Sequence, residues 1–190
     1  MPGALALVGG GEWREGCTFD RDLLAASGAE EVLVLPTAAA YEHPERAVET
    51  AEQWFAGLGA KVRGLMVLAR PDSEQEANVA AIRDARFIYL SGGSPLHLRS
   101  VLKDSPAWDA LCQAWQGGAV LAASFAASGS LAAGFASYFA DHTAFVCGPA
   151  PFMKAVTGAL KELGFPRERR HQEKFVSLGG NPFGDVEEVL

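Results

Sequence analysis

Short apolar runs alternate with segments of helical periodicity along almost the whole chain, and that alternation leaves few folds open. The runs are Ala4–Val8, Glu31–Leu35, Val62–Leu68, Phe87–Leu90, Ala119–Ser124, Ala144–Cys147 and His171–Leu178. They have strand length, and Val32–Leu35 is continuous and rich in β-branched side chains, as in a strand buried on both faces. Helices are predicted between them. One covers Asp20–Ser27 with Gly28 as its C-cap, and one covers His43–Leu58 with Pro44 in its first turn and Gly59 at its end. Ser73 and Glu76 read as a capping box for the next, with Val79 and Ile82 on its inner face. Pro95–Leu102, Pro106–Gln116 and Pro151–Leu163 follow the same logic, and Ser130 is placed to cap a helix presenting Leu131, Phe135 and Phe139. Strands that alternate with helices call for a parallel sheet, with right-handed crossovers covering both faces.

The bulk properties narrow the partners. A chain of 190 residues, 49% hydrophobic and 21% charged, can close a sizeable core as one domain. A net charge of −7 argues against nucleic acid and against an anionic membrane surface. No run is long enough to span a bilayer, and the N-terminus has no basic region of the kind that opens a signal peptide. Cys17, Cys112 and Cys147 are odd in number and far apart, so neither a disulfide framework nor a metal site is expected. A reducing cytoplasm fits that usage.

Chemistry in such a fold gathers where strands end in glycine-rich turns. Gly9-Gly10-Gly11 closes the first strand, with Glu12 just beyond it, expected as a solvated loop carboxylate. Ser91-Gly92-Gly93 closes the fourth. Ser124 ends the fifth strand, where it is expected to cap the next helix, and Phe125 is expected to close the top of the core. His43 is placed at a helix start, His97 on a helix surface, and Asp141-His142 in a solvated loop.

Residues 1 to about 124 resemble the serine-peptidase family of dipeptidase E and cyanophycinase. LVGGGE (Leu7–Glu12), VLVLPTAAA (Val32–Ala40), IYLSGGSPLHL (Ile88–Leu98) and AVLAAS (Ala119–Ser124) carry the resemblance. It implies a nucleophile on a Gly-x-Ser-Ala-Gly turn after the fifth strand. It also implies an oxyanion-hole amide from the Ser91-Gly92-Gly93 segment, with a histidine and an acidic residue further on. Here the turn reads Ala123-Ser124-Phe125-Ala126-Ala127, so Phe125 stands at the nucleophile position. The region that would supply the histidine is not recognisable. The candidate catalytic positions are therefore Ser124, Gly92 and Gly93.

Residues from about 130 to 190 resemble the C-terminal end of ferredoxin-reductase-type flavoprotein reductases, of the ketosteroid-hydroxylase type. FVCGPAPFMKAVTGALKELGFPRER (Phe145–Arg169), HQEKFVSL (His171–Leu178) and GNPFGD (Gly180–Asp185) carry it. The resemblance implies a nicotinamide border at Cys147, Gly148 and Pro149, and flavin neighbours at Glu173 and Phe175. Arg170 stands where that family has an aliphatic residue, and its charge must reach solvent or a partner. The flavin barrel, the iron–sulfur cysteines and the G-x-G-x-x-G turn are not found in the sequence. No bound cofactor and no metal are expected.

Joined, the two pieces predict one doubly wound, mostly parallel sheet of about seven strands with helices on both faces, Rossmann-like or flavodoxin-like. Residues 1–124 and 125–178 then form a single domain, followed by a tail at 179–190. The expected function is that of a recombined or engineered chimeric scaffold without efficient catalysis. One alternative is a serine peptidase or hydrolase of the dipeptidase E type with residual or relocated activity, using Ser124 or another hydroxyl. The other is a weak NAD- or FAD-binding module. A homodimer through an exposed sheet edge and a small-molecule ligand at the strand ends are the partners such a fold would take.

Overall fold

The computed structural model describes residues 2–14, 17–125 and 144–174, the last two of them, Glu173 and Lys174, in backbone only. Seven strands form one sheet, β1 (Leu5–Val8), β2 (Glu31–Leu35), β3 (Lys61–Gly64), β4 (Phe87–Leu90), β5 (Val120–Ser124), β6 (Ala144–Gly148) and β7 (Arg170–Lys174). Their order is β3-β2-β4-β5-β1-β6-β7, and every pairing is parallel. The helices are α1 (Phe19–Ser27), α2 (Pro44–Gly57), α3 (Glu76–Asp84), α4 (Pro95–Leu102), α5 (Pro106–Gln116) and α6 (Ala150–Glu162). The α/β architecture read from the alternation is the one observed.

The strand order explains which face each helix covers. From β1 the chain steps to β2 and then outward to β3, and right-handed crossovers place α1 and α2 on one face. From β3 onward it steps back the other way, so α3, α4, α5 and α6 cover the opposite face. The core divides accordingly. Phe19, Leu23, Val48, Ala51 and Phe55 pack with Val8, Val32, Val34, Phe87 and Tyr89 on the first face. Val79, Ile82, Leu98, Val101, Leu111, Phe152 and Val156 pack with Leu5, Leu7, Leu33, Leu35 and Leu90 on the second. Phe55 stands edge-on to Phe87, with ring centroids 5.8 Å apart. Asp20 is buried on the first face, where its Oδ2 accepts from Trp54 Nε1 at 2.9 Å.

Two elements differ from the sequence reading. The third strand stops at Gly64 rather than running to Leu68. Asp72 Oδ2 accepts from the amides of Leu68 (3.0 Å) and Ala69 (2.8 Å), and a 3₁₀ turn at Arg70–Glu74 replaces the strand's end. Ser73 does not cap α3, because its hydroxyl donates to Arg70 O at 2.7 Å inside that turn, and the helix starts at Glu76. Gly28 caps α1 as expected, with φ 59° and its amide on Leu24 O. The helix read between Leu131 and Phe139 and the tail at 179–190 lie outside the described residues. No described helix is long and apolar enough to cross a membrane.

The sheet ties the second sequence segment to the first. Leu5 of β1 is in register with Leu121 of β5 on one side and with Ala144 of β6 on the other. Phe152 of α6, fully buried, lies so close to Gly9 that a Cβ added there would stand 2.6 Å from its ring. Phe55→Ala and Phe152→Ala are expected to lower stability by about 3–5 kcal/mol each. Urea unfolding followed by circular dichroism should show both changes as shifts of the same single transition.

Candidate functional site

Three turns converge at the carboxyl ends of β1, β4 and β5. The loop after β1 runs through Gly10 and Gly11 in the left-handed region, at φ 82° and 69°, and Trp13 follows at φ 58°. A left-handed conformation is costly for a bulky residue and persists only where the surroundings hold it. Burial holds Trp13, whose ring lies 4.9 Å from that of Tyr89, a fully buried residue of β4. With Trp13 pinned, the neighbouring Glu12 carboxylate reaches across the strand ends. Its Oε2 accepts from Ser124 Oγ at 2.7 Å, and its Oε1 accepts from the Gly92 amide at 2.9 Å.

The sheet topology accounts for the place. β4, β5 and β1 are consecutive parallel strands in the sheet, so their carboxyl ends lie side by side at one edge, the edge at which ligands bind in open α/β sheets. Strand alternation sets the side chains. Ala123 and Phe125 join the core under α4 and α5, whereas Ser124 turns to the opposite side and meets Glu12. Phe125 is buried, and its amide donates to Val8 O at 2.8 Å, so the position read as the nucleophile's holds a core side chain.

Glycine is required at the second position of the β4 turn, and the first is tightly surrounded. A Cβ on Gly92 would stand 3.0 Å from Glu12 Oε1 and 3.1 Å from Ser124 Oγ. A Cβ on Gly93 would come within 2.3 Å of Ala38 O, at a φ of 143° that disfavours side chains. The Ser94 amide donates to Ala38 O at 2.8 Å, and the Ser94 hydroxyl caps α4 by accepting from the His97 amide at 3.3 Å.

Several expectations are corrected here. Glu12 is half-buried and doubly bonded rather than solvated, because the left-handed loop folds it back onto the sheet. The Ser124 hydroxyl donates to Glu12, a contact the sequence reading did not foresee, while the helix it was expected to cap lies outside the described residues, so that expectation stands open. His97 is half-buried, with Nε2 2.8 Å from Leu68 O and its ring edge-on to Tyr41 at 4.8 Å. His43 opens α2 as expected, in a left-handed conformation, with Nδ1 3.1 Å from Glu45. Asp141 and His142 lie outside the described residues. Sequence reasoning named Glu12 without its role. The signal was the run of three glycines before it, which frees a loop to turn back.

The reductase-like positions gather elsewhere. Cys147 is buried at the end of β6, where its carbonyl accepts from the Gly9 amide at 2.6 Å. Gly148 lies so close to Gly9 that an added Cβ would stand 2.9 Å from its Cα, and Pro149 precedes α6. Phe145 and His171 stack at 4.9 Å beside a cavity of about 280 Å³ that Cys147, Phe19 and Asp22 also line. The side chain of Glu173 and all of Phe175 lie outside the described residues. Arg170 is half-buried, with Nε lacking a hydrogen-bond partner among the described residues. Among those residues no group of His, Cys, Asp and Glu could hold a metal ion.

Comparison with known proteins divides along the same line. The model of peptidase family S51 matches residues 5–137. The crystal structure of a peptidase from an acI-B1 Actinobacterium superposes with a TM-score of 0.65 at 26% identity, over 90% of this chain and 78% of that one. The ferredoxin reductase component of 3-ketosteroid-9-alpha-monooxygenase from Rhodococcus rhodochrous is 49% identical over 53 residues, which is 28% of this chain and 15% of that protein. Its counterpart in Mycolicibacterium smegmatis is 48% identical over 48 residues, 25% of this chain and 14% of that protein. The chain thus spans about one-seventh of the length of these reductases.

Two consequences are measurable. Gly93→Ala is expected to cost about 2–4 kcal/mol through the clash with Ala38 and the backbone strain, and Gly92→Ala less, since it meets only the ends of the Glu12 and Ser124 side chains. Thermal unfolding of each variant gives the comparison. Cys112 is half-buried, and burial, with Asp109 adding to it, pushes its thiol up to about 11. Burial likewise raises the Cys17 thiol, although the Arg14 backbone amide opposes the shift. A raised thiol keeps its proton at neutral pH, so about a thousandth of Cys112 is thiolate at pH 8. Ellman's reagent should react slowly with the native protein at pH 8, and faster as the pH approaches 10.

Proposed function

The chain belongs to peptidase family S51, and from that premise we propose that it is a serine-type hydrolase whose reactive pair is Ser124 and Glu12. The single observation that carries the reading is the 2.7 Å hydrogen bond from the Ser124 hydroxyl to the Glu12 carboxylate at the strand ends. A serine becomes a nucleophile when a base lies within hydrogen-bond reach and a third group orients that base. Glu12 is the base, and the Gly92 amide on its other oxygen is the orienting group.

The chemistry is acyl transfer. Ser124 Oγ attacks the carbonyl carbon of an ester or amide as its proton passes to Glu12 Oε2. The new C–O bond forms, and the bond to the leaving alcohol or amine breaks. The leaving group takes the proton back from Glu12. Water, deprotonated by the same carboxylate, then hydrolyses the acyl-serine and regenerates both residues. Phe125 fills the ordinary nucleophile place, which moves the reactive hydroxyl one position earlier and onto the other side of β5.

That same Phe125 favours a second reading, a recombined scaffold without efficient catalysis. Under it the Ser124–Glu12 bond only fastens the strand ends. A fluorophosphonate probe separates the two. The hydrolase reading expects one equivalent of label, none on Ser124→Ala, and labelling about 10²–10⁴-fold slower on Glu12→Gln. No label on the native protein supports the scaffold, and label that survives Ser124→Ala overturns the assignment of the nucleophile to Ser124.

A further inference from the structure

The first face of the sheet carries a cavity that Ser124 and Glu12 do not line. The topology creates it. α6 joins β6 to β7 and packs on the second face, so on the first face these two strands look onto the flank of α1. The space enclosed there is about 280 Å³. Ala6 and Cys147, both small, form its floor. Phe145 and His171 are register partners on β6 and β7, and their rings stack at 4.9 Å with 21° between the planes. Phe19 and Asp22 come from α1, three residues apart and therefore on one side of the helix.

We propose that this cavity binds a small quaternary ammonium cation. Two phenyl rings and an imidazole wall the space, and the faces of phenyl rings attract a cation that has shed its water. Asp22 is the one carboxylate of the lining; it is exposed and makes no ion pair among the described residues. No lysine or arginine lines the cavity. Arg170 precedes His171 on the strand and so points to the other side of the sheet. The Arg14 guanidinium lies over Gly11, past the end of β1. An anion would therefore meet Asp22 with no cation to balance it. A primary ammonium would bring three donors into a lining whose strand backbone is already paired and whose Gln172 amide is held by Thr157, whereas a quaternary one has no donor to leave unsatisfied. The volume lies at the small end of ligand pockets, which suits a compact cation.

The test is an amide NMR titration of the isotope-labelled full chain with three probes of similar shape. They are choline, its neutral carbon isostere neohexyl alcohol, and the tert-butylacetate anion. Choline is expected to shift the amides of Phe19, Asp22, Phe145 and His171 and to saturate at millimolar concentration. The neutral isostere should bind about fivefold or more weakly, and the anion should cause no shift there. Asp22→Asn, at an exposed position, should weaken choline about fivefold, leave neohexyl alcohol unchanged and keep the native unfolding midpoint. Phe145→Leu should weaken choline by a similar factor. Equal affinity for choline and its isostere, or choline binding that Asp22→Asn leaves intact, overturns the proposal. So does the absence of any shift with choline. None of these outcomes depends on Ser124.

Discussion

Strand β1 is hydrogen-bonded on both sides, to β5 and to β6, and the rest of the structure depends on that position. A parallel strand with neighbours on each edge must be apolar on both faces, and Leu5–Val8 is fully buried. The same pairing joins the peptidase-like segment to the reductase-like one, since β5 comes from the first and β6 from the second. The backbone after β1 is equally constrained. The Gly9 amide is bound by Cys147 O, and Gly9 touches Gly148 and the Phe152 ring, so the loop can only rise from the sheet and turn back over it.

The Ser124–Glu12 hydrogen bond is a product of that turn. Glycines at 10 and 11 allow the left-handed backbone, the Trp13 indole anchors it against Tyr89, and Glu12 is delivered to two donors from different strands. A carboxylate accepting from both an amide and a hydroxyl forms charge-assisted hydrogen bonds, which are stronger than neutral ones. The arrangement fastens β1, β4 and β5 together at the end where chemistry occurs in folds of this type.

Most of the architecture was legible because the signals were local. Val32–Leu35 reads as a buried strand from composition alone, and Pro44, Gly28 and Pro95 mark helix ends by backbone chemistry. The third strand was read four residues too long, because Leu65 to Leu68 continues the apolar run. Nothing in that run announces that Asp72 will capture the amides of Leu68 and Ala69. The site was half legible. Gly92, Gly93 and Ser124 followed from motif positions. The engagement of Glu12 did not, since its partners lie 80 and 112 residues away and the loop's path depends on where Trp13 finds a pocket. His97 was read as a surface residue for the same reason: its partner, Leu68 O, lies outside its own helix.

The central claim is that Ser124 carries the acyl group. The most direct measurement is peptide mapping by mass spectrometry of the native protein quenched in acid during incubation with para-nitrophenyl acetate. The account predicts a single acetyl group on the peptide containing Ser124, absent from Glu12→Gln quenched at the same time. An unmodified Ser124, or acetylation confined to lysines and the N-terminus, would contradict it.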